Sequence, residues 1–385
     1  MSDSRTMESR SFYAHEPAAP TVDQTLLRAT AAGTSSFRKR FESRFVADFF
    51  RQTRRGPVVS SIGIGTYLGE STDDDDLAYE TAVRHAIGRG INLIDTAINY
   101  RCQRSERAVG AAIQQAIASG QATRQQLVVS SKAGYIPLDK MPPATRQGYQ
   151  AYVQREFIDQ DIVRPEEIVG GGHSLAPRFL RYCLAKSRQN LGLRTIDIYY
   201  LHNPEQQLGS VDRVELRLRL RAAFTVMEES ADRGEIAAYG CATWNGLRVP
   251  PENSGHLSLE ELMALAREIG GDGHHFRAVQ LPVNLAMPEA IRMPTQRLGG
   301  HLVPAITAAT EMGLTVLGSA SLMQGKLAAN LPGAVAPLFP ECRTDAQRAI
   351  EFVRAMPGVT AALFGARQAD HIDDCLACAE RRRLN

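Results

Sequence analysis

From Val58 onward the chain alternates short, nearly continuous apolar runs with longer stretches in which apolar residues recur every three or four positions. Short runs of this kind suit strands buried on both faces, and the longer amphipathic stretches suit helices laid against them. The runs predict strands at 58–64, 91–94, 127–131, 195–201, 236–241, 277–281, 314–318 and 359–364. The stretches between them predict helices from the Asp73–Asp76 run to about Arg89, then at 105–119, 176–191, 213–233, 258–269, 302–312 and 344–355, and a terminal helix from about 369. Gly90, Gly234 and Gly313 stand just before strands, where a helix C-cap needs a left-handed residue. Alternating strands and helices imply a parallel sheet with helices outside. Eight such units imply an α/β fold closed into a (β/α)8 TIM barrel. No GxGxxG opens a helix after a strand, so a doubly wound nucleotide-binding fold lacks its fingerprint.

Two stretches break this rhythm. Residues 1–56 form an extension, with disorder expected over about 1–24 and a phenylalanine-rich amphipathic helix over 35–52. Packing of that helix on the outside of the barrel is the expectation, against a membrane-surface or partner-binding role. The barrel proper is assigned to 57–385, interrupted at about 133–175 by a connection far longer than barrel loops usually are. That connection carries Tyr135, Tyr149, Tyr152, His173 and a Gly170–Gly172 hinge. It reads as a lid over a substrate pocket or as a small packed subdomain.

Composition narrows the function. In 385 residues, 44% are hydrophobic and 22% charged, as in ordinary globular proteins, and the formal charge of +2 offers no footprint for nucleic acid. No apolar run is long enough to cross a membrane. The N-terminus lacks the apolar core of a secretory signal, and six scattered cysteines suit a reducing, cytoplasmic setting. Cys375 and Cys378 read as buried cysteines on a helix face, and Asp73–Asp76 as a solvated helix cap, so no metal is expected at either. His274-His275 reads as a solvated loop, which leaves a barrel-type metal hydrolase without ligands.

The candidate chemistry lies where strands give way to loops. Asp95 ends the second strand with Tyr100 just beyond it, Lys132 ends the third, and His202 ends the fourth. In a parallel barrel those ends share one rim. A carboxylate fixed at a strand end with a phenol just beyond it is a plausible proton-handling pair.

The segments GIGTYLGE, GINLIDTAINY, SERAVGAAI, VVSSK, NLGLRTIDIYYLHNPE, RGEIAAYGCATW, VQLPVN, GLTVLGSASLMQGKL and FGARQADHIDD occur in this order from 63 to 374. Together they resemble the aldo-keto reductases, (β/α)8 oxidoreductases that use a nicotinamide cofactor. The resemblance implies a catalytic tetrad of Asp95, Tyr100, Lys132 and His202. Tyr100 would be the general acid, Lys132 and Asp95 would tune it, and His202 would orient the carbonyl. It also implies an extended cofactor. Gly65, Thr66, Tyr67, Asp95, Thr243 and Gln280 would lie at its nicotinamide end. Ser319, Ala320, Ser321, Leu322, Gly325 and Lys326 would surround its pyrophosphate, and Gly365 and Arg367 its adenosine. A pairing of Arg367 with a 2′-phosphate would favour NADPH, with NADH the other candidate. The substrate would be a small-molecule aldehyde or ketone; the oligomeric state stays open. Ala242-Thr243 replaces the Ser-Asn common in the family after the fifth strand. Ser319 occupies a position that often carries an aromatic stacked on the nicotinamide, for which Trp244 is a candidate substitute, with a packed core indole as its other reading. Asp374 and Cys375 stand where Glu and Asn are common. A non-catalytic, cofactor-binding protein similar to channel-associated relatives is the alternative reading.

Overall fold

The computed structural model describes residues 28–53 and 56–381; the stretch 1–24 expected to be disordered lies outside them. The chain opens with helix α1 (Ala31–Phe41), then a hairpin of β1 (Phe50–Gln52) and β2 (Val58–Ser60). Barrel units follow: β3 (Ile62–Gly65), α2 (Asp73–Arg89), β4 (Leu93–Asp95), α3 (Arg104–Ala118) and β5 (Val128–Ala133). The insertion carries α4 (Arg146–Val153) before α5 (Pro177–Leu191) resumes the alternation. Next come β6 (Ile196–His202), α6 (Arg213–Asp232), β7 (Ile236–Ala242), α7 (Leu259–Gly270) and β8 (Phe276–Pro282). A short α8 (Glu289–Arg292) and a hairpin of β9 (Pro294–Leu298) and β10 (His301–Pro304) precede α9 (Ala305–Glu311). The chain ends with β11 (Thr315–Ser319), α10 (Asp345–Arg354), β12 (Ala361–Gly365) and α11 (Ala369–Ala377).

Eight strands close in the order β11-β12-β3-β4-β5-β6-β7-β8, all parallel, with β8 pairing back to β11 and the last strand, β12, meeting the first barrel strand, β3. This is the (β/α)8 barrel that the alternation implies. Strand neighbours face opposite ways, and the packing divides accordingly. Leu93, Val128, Ile198, Tyr200, Ala278 and Leu317 form one compact cluster inside the ring. Ile94, Val129 and Leu201, one residue on, belong to the larger cluster shared with the helices.

Val59 and Ala29 also belong to the inner cluster, so the extension plugs the barrel at the strands' N-terminal end. The Ala29 amide donates to Asp197 Oδ1 at 2.7 Å, and Asp197 Oδ2 accepts from Arg124 Nη2 at 2.7 Å. The phenylalanine pattern is real, but the helix ends at Phe41 rather than running to 52. Phe45, Phe49 and Phe50 lie in the turn and strand that follow, fully or nearly buried, with Phe45 and Phe49 stacked at 3.8 Å. Burial against the barrel, including contact with the C-terminal segment through a Phe45–Glu380 bridge, decides their conformation.

Two further elements differ from the sequence reading. The run 58–64 is not one strand: β2 pairs antiparallel with β1, and the barrel strand begins only after Ser61. The stretch 302–312 is helical only from Ala305; His301–Pro304 pairs with Pro294–Leu298 around Gly299-Gly300, both at positive φ. No helix among the described residues is long and apolar enough to cross a membrane.

The insertion is a packed unit. Val153, Phe157, Val163 and Val169 are buried, and Phe157 meets Tyr182 of α5 at 5.5 Å between ring centroids. Its ends are laced together: Ile136 N donates to Gly172 O and Ser174 N to Gly134 O, each at 2.7 Å. Tyr149 Oη bonds Gly171 O at 3.0 Å, pinning the glycine turn that a hinge would need free.

Candidate active site

The strand ends place Asp95, Tyr100, Lys132 and His202 together on the barrel rim. Lys132 is fully buried; its Nζ donates to Asp95 Oδ2 at 2.7 Å and to Thr96 O at 2.8 Å. The Tyr100 ring lies beside it, 5.0 Å from Nζ to centroid. Asp95 Oδ1 accepts from Ser130 Oγ at 2.7 Å and from Gln280 Nε2 at 2.8 Å, so the carboxylate is held from two other strands, β5 and β8. Immediately after Tyr100 the chain passes through three left-handed residues, Arg101, Cys102 and Gln103. Such a run costs roughly 1–2 kcal/mol per residue and persists only when fixed by its surroundings. Here Arg101, its side chain buried, binds Glu70 O at 2.7 Å and pairs with Asp76.

The electrostatics follow from burial and from this one cation. Burial pushes the Tyr100 phenol up; Lys132 opposes that and Asp95 reinforces it, leaving the phenol above its ordinary value. Burial alone would depress the Lys132 ammonium, but Asp95 and Tyr100 more than reverse it. Burial, then the charge of Lys132 and the nearby His173, hold His202 far below the ordinary imidazole value, so it is neutral. The site therefore offers a protonated phenol, a fixed ammonium and a neutral imidazole around one cavity.

That cavity is about 460 Å³. Gly65, Thr66, Tyr67, Asp95, Tyr100, His202, Thr243 and Gln280 line it. So do Ser319, Ala320, Ser321, Leu322, Gly325 and Gly365. Leu68, Leu322, Gly325, Phe364 and Gly365 also border a second hollow of about 890 Å³ that reaches Arg367, so the two form one long cleft. Lys132 lies beneath the cleft and Lys326, exposed, lines neither part. Arg367 pairs with Asp75. Asp73 and Asp76 pair with Arg104 and Arg101, while Asp73 and Asp74 stay exposed, so the acidic run is the solvated helix start expected, with ion pairs added.

Three site residues depend on contacts that sequence spacing does not show. Asn203, in the left-handed region, donates from Nδ2 to Tyr135 Oη at 2.9 Å, and Tyr135 is the one insertion residue that lines the cavity. His173 Nε2 donates to His202 O at 2.8 Å, while its Nδ1 accepts from Gln207 Nε2 at 2.7 Å. Gly134 allows this approach, since a Cβ there would sit 2.5 Å from His202 O. The insertion is thus a packed subdomain that braces the end of β6 and contributes one phenol. Trp244 is half exposed on the cavity wall rather than packed in the core. Glu205 Oε1 accepts from the amides of Trp244, Asn245 and Gly246 at 2.7, 3.0 and 3.2 Å. His275 bonds Glu228 at 2.7 Å and His274 is buried, so neither is the solvated loop residue expected. Cys375 is buried and Cys378 partly so.

The cleft tests well against a nicotinamide dinucleotide. Thr243 Oγ1 is buried beside the cavity with no hydrogen-bond partner, and the Gln280 amide stands next to it on the wall. Beyond them Ala320, Met323, Gln324 and Gly325 all adopt positive φ, and turns of this kind gather backbone amides suited to phosphate.

The closed parallel barrel thus carries, at one rim, a buried Asp–Lys pair beneath a tyrosine and a histidine. Residues 61–249, just under half of the chain, match the sequence model of the aldo/keto reductase family. The chain is 30% identical over 177 residues to a D-threo-aldose 1-dehydrogenase of a Pseudomonas species; the alignment spans 46% of each, so the chain covers about half the length of this curated relative. Solved structures share the fold. An aldo/keto reductase from Klebsiella pneumoniae in complex with NADP and acetate superposes with a TM-score of 0.57 at 19% identity, over 86% of this chain and 89% of that one. A glycerol dehydrogenase from Gluconobacter oxydans gives 0.57 at 17%, over 86% and 90%.

Proposed function

We propose that the protein is an NAD(P)(H)-dependent oxidoreductase that interconverts a small aldehyde or ketone and its alcohol, with Tyr100 as general acid. The observation that carries this reading is the buried Lys132–Asp95 pair set under the Tyr100 ring at the mouth of a long cleft. The cofactor, when bound, supplies the two-electron reducing equivalent to the carbonyl carbon. Thr243 and Gln280 would hold its carboxamide, the 319–325 turns its phosphates, and Gly365 and Arg367 its adenosine end.

The remaining work falls to this chain's side chains. As negative charge grows on the carbonyl oxygen, Tyr100 gives it the phenolic proton, and the Lys132 ammonium stabilises the phenolate left behind. Asp95 fixes that ammonium and is itself held by Ser130 and Gln280. Neutral His202 orients the carbonyl without competing for the proton. Solvent returns a proton to Tyr100 before the next turnover. Phenols and carboxamides at the catalytic end (Tyr67, Tyr135, Asn99, Asn203) suit a hydroxylated substrate, and the name of the Pseudomonas relative puts aldoses first on the panel.

The test is Tyr100→Phe assayed on a carbonyl and aldose panel with both nucleotides. Turnover should fall by at least ~10²-fold, the scale of a lost proton donor, with nucleotide affinity kept. Undiminished turnover would sink Tyr100 as the acid. Tight nucleotide binding with no turnover by wild type on any substrate would favour a non-catalytic cofactor-binding role.

A further inference from the structure

The turn after β7 is held with unusual thoroughness for a loop. Glu205, 8% exposed, gives one oxygen to three successive amides, those of Trp244, Asn245 and Gly246. Arg248, also buried, holds the same turn from the other side: Nε donates to Trp244 O at 2.9 Å and Nη2 to Asn245 Oδ1 at 3.0 Å. Gly246 leaves room for this, because a Cβ there would meet Leu257 at 2.8 Å and Glu205 Cβ at 3.3 Å. The second Glu205 oxygen has no partner. A buried carboxylate that leaves one oxygen unsatisfied is costly, and three charge-assisted bonds to consecutive amides are what offset it. What this fixes is the backbone of Trp244, whose indole is half exposed and stands on the cavity wall with Tyr100 and His202. An indole on a fixed backbone has only its side-chain torsions to lose when a ligand covers it, so more of its contact energy goes into affinity.

We infer that Glu205 is a positioning residue, which sets the Trp244 indole as a rigid wall of the cleft on which the ligand's apolar face rests. This rests on reading the cleft as the binding site for substrate and cofactor. Glu205 touches neither; it acts through the turn. Glutamine at 205 keeps an accepting oxygen in the same place, whereas alanine releases all three amides.

Trp244 is the only tryptophan in the chain, so its fluorescence reports this turn alone. The experiment compares full-length wild type, Glu205→Ala and Glu205→Gln by acrylamide quenching of Trp244, by NADPH titration, and by kinetics on a five-carbon aldose. In Glu205→Ala, quenching should rise and the KM or the NADPH dissociation constant should weaken roughly tenfold, about 1.4 kcal/mol, with kcat within about threefold of wild type; Glu205→Gln should recover most of both. Quenching and affinities unchanged in Glu205→Ala would overturn the inference. So would parallel losses of kcat, affinity and melting temperature in both variants, which mark general damage to the fold. If wild type turns over no substrate, the reductase reading fails, and quenching with NADPH affinity still decides the role of Glu205.

Discussion

Replacing Lys132 with methionine keeps the length of the side chain and removes its charge, which isolates the buried ion pair from its packing. Lys132 is fully buried and Asp95 is 5% exposed, so the variant strands a carboxylate with almost no access to water. Breaking a buried pair from one side costs about 3–5 kcal/mol. Asp95 keeps its bonds from Ser130 Oγ and Gln280 Nε2. Each such neutral donor offsets roughly 1 kcal/mol, so the net loss should be about 1–3 kcal/mol. With an unfolding entropy of about 2.1 cal/mol/K per residue, that lowers the melting temperature of a chain this long by roughly 1–4 °C. The assay is urea and thermal unfolding of Lys132→Met, Asp95→Asn and the double variant. The double variant has no charge to strand and keeps an acceptor for Ser130 and Gln280, so it should be more stable than Lys132→Met alone. A Lys132→Met protein within about 0.5 kcal/mol of wild type, or a double variant at the sum of the two single losses, would refute the reasoning.

Other regions give predictions of different kinds. Phe45→Ala removes a fully buried ring stacked on Phe49 at the closed end of the barrel; it should cost about 3–5 kcal/mol in urea unfolding and leave the KM unchanged, and a changed KM would mean the plug communicates with the rim. Burial holds His173 down to about 4 from an ordinary 6.5, opposed only in part by its bond to His202 O. The unfolded chain therefore takes up a proton at His173 before the folded one does. Its stabilising contribution is complete above pH 6.5 and is lost as pH falls toward 4, at up to about 1.4 kcal/mol per pH unit. Urea unfolding across that window should show a shallower slope in His173→Gln than in wild type, and parallel profiles would remove His173 from the account.

The barrel was legible because each strand is buried on both faces and so reads as an apolar run. The shared rim was legible because Asp95, Lys132 and His202 each stand at the end of a strand and Tyr100 follows Asp95 on the outgoing loop. The β9–β10 hairpin was missed although Gly299-Gly300 is a turn signal, because an apolar run beyond it matched helical spacing as well. The extent of α1 was misread for a related reason: Phe45, Phe49 and Phe50 keep a helical rhythm while tertiary burial places them in a turn and a strand. The bracing of the site was not legible at all. His173 reaches His202 across 29 positions and Glu205 reaches Trp244 across 39, and no local pattern encodes such pairings.

The two ends of the described chain meet at the closed side of the barrel. Phe45 bridges Glu380, Arg381 donates to Phe45 O at 2.6 Å, and Arg51 reaches Val359 O at 2.7 Å. A ribosome makes the phenylalanine cluster well before its cover. Until β12 and α11 emerge, β3 has one open edge and those rings have no lasting shelter. In that interval the patch over residues 37–50 is exposed in the growing chain, and a chaperone that shields it would raise the yield of folded protein without touching the finished molecule.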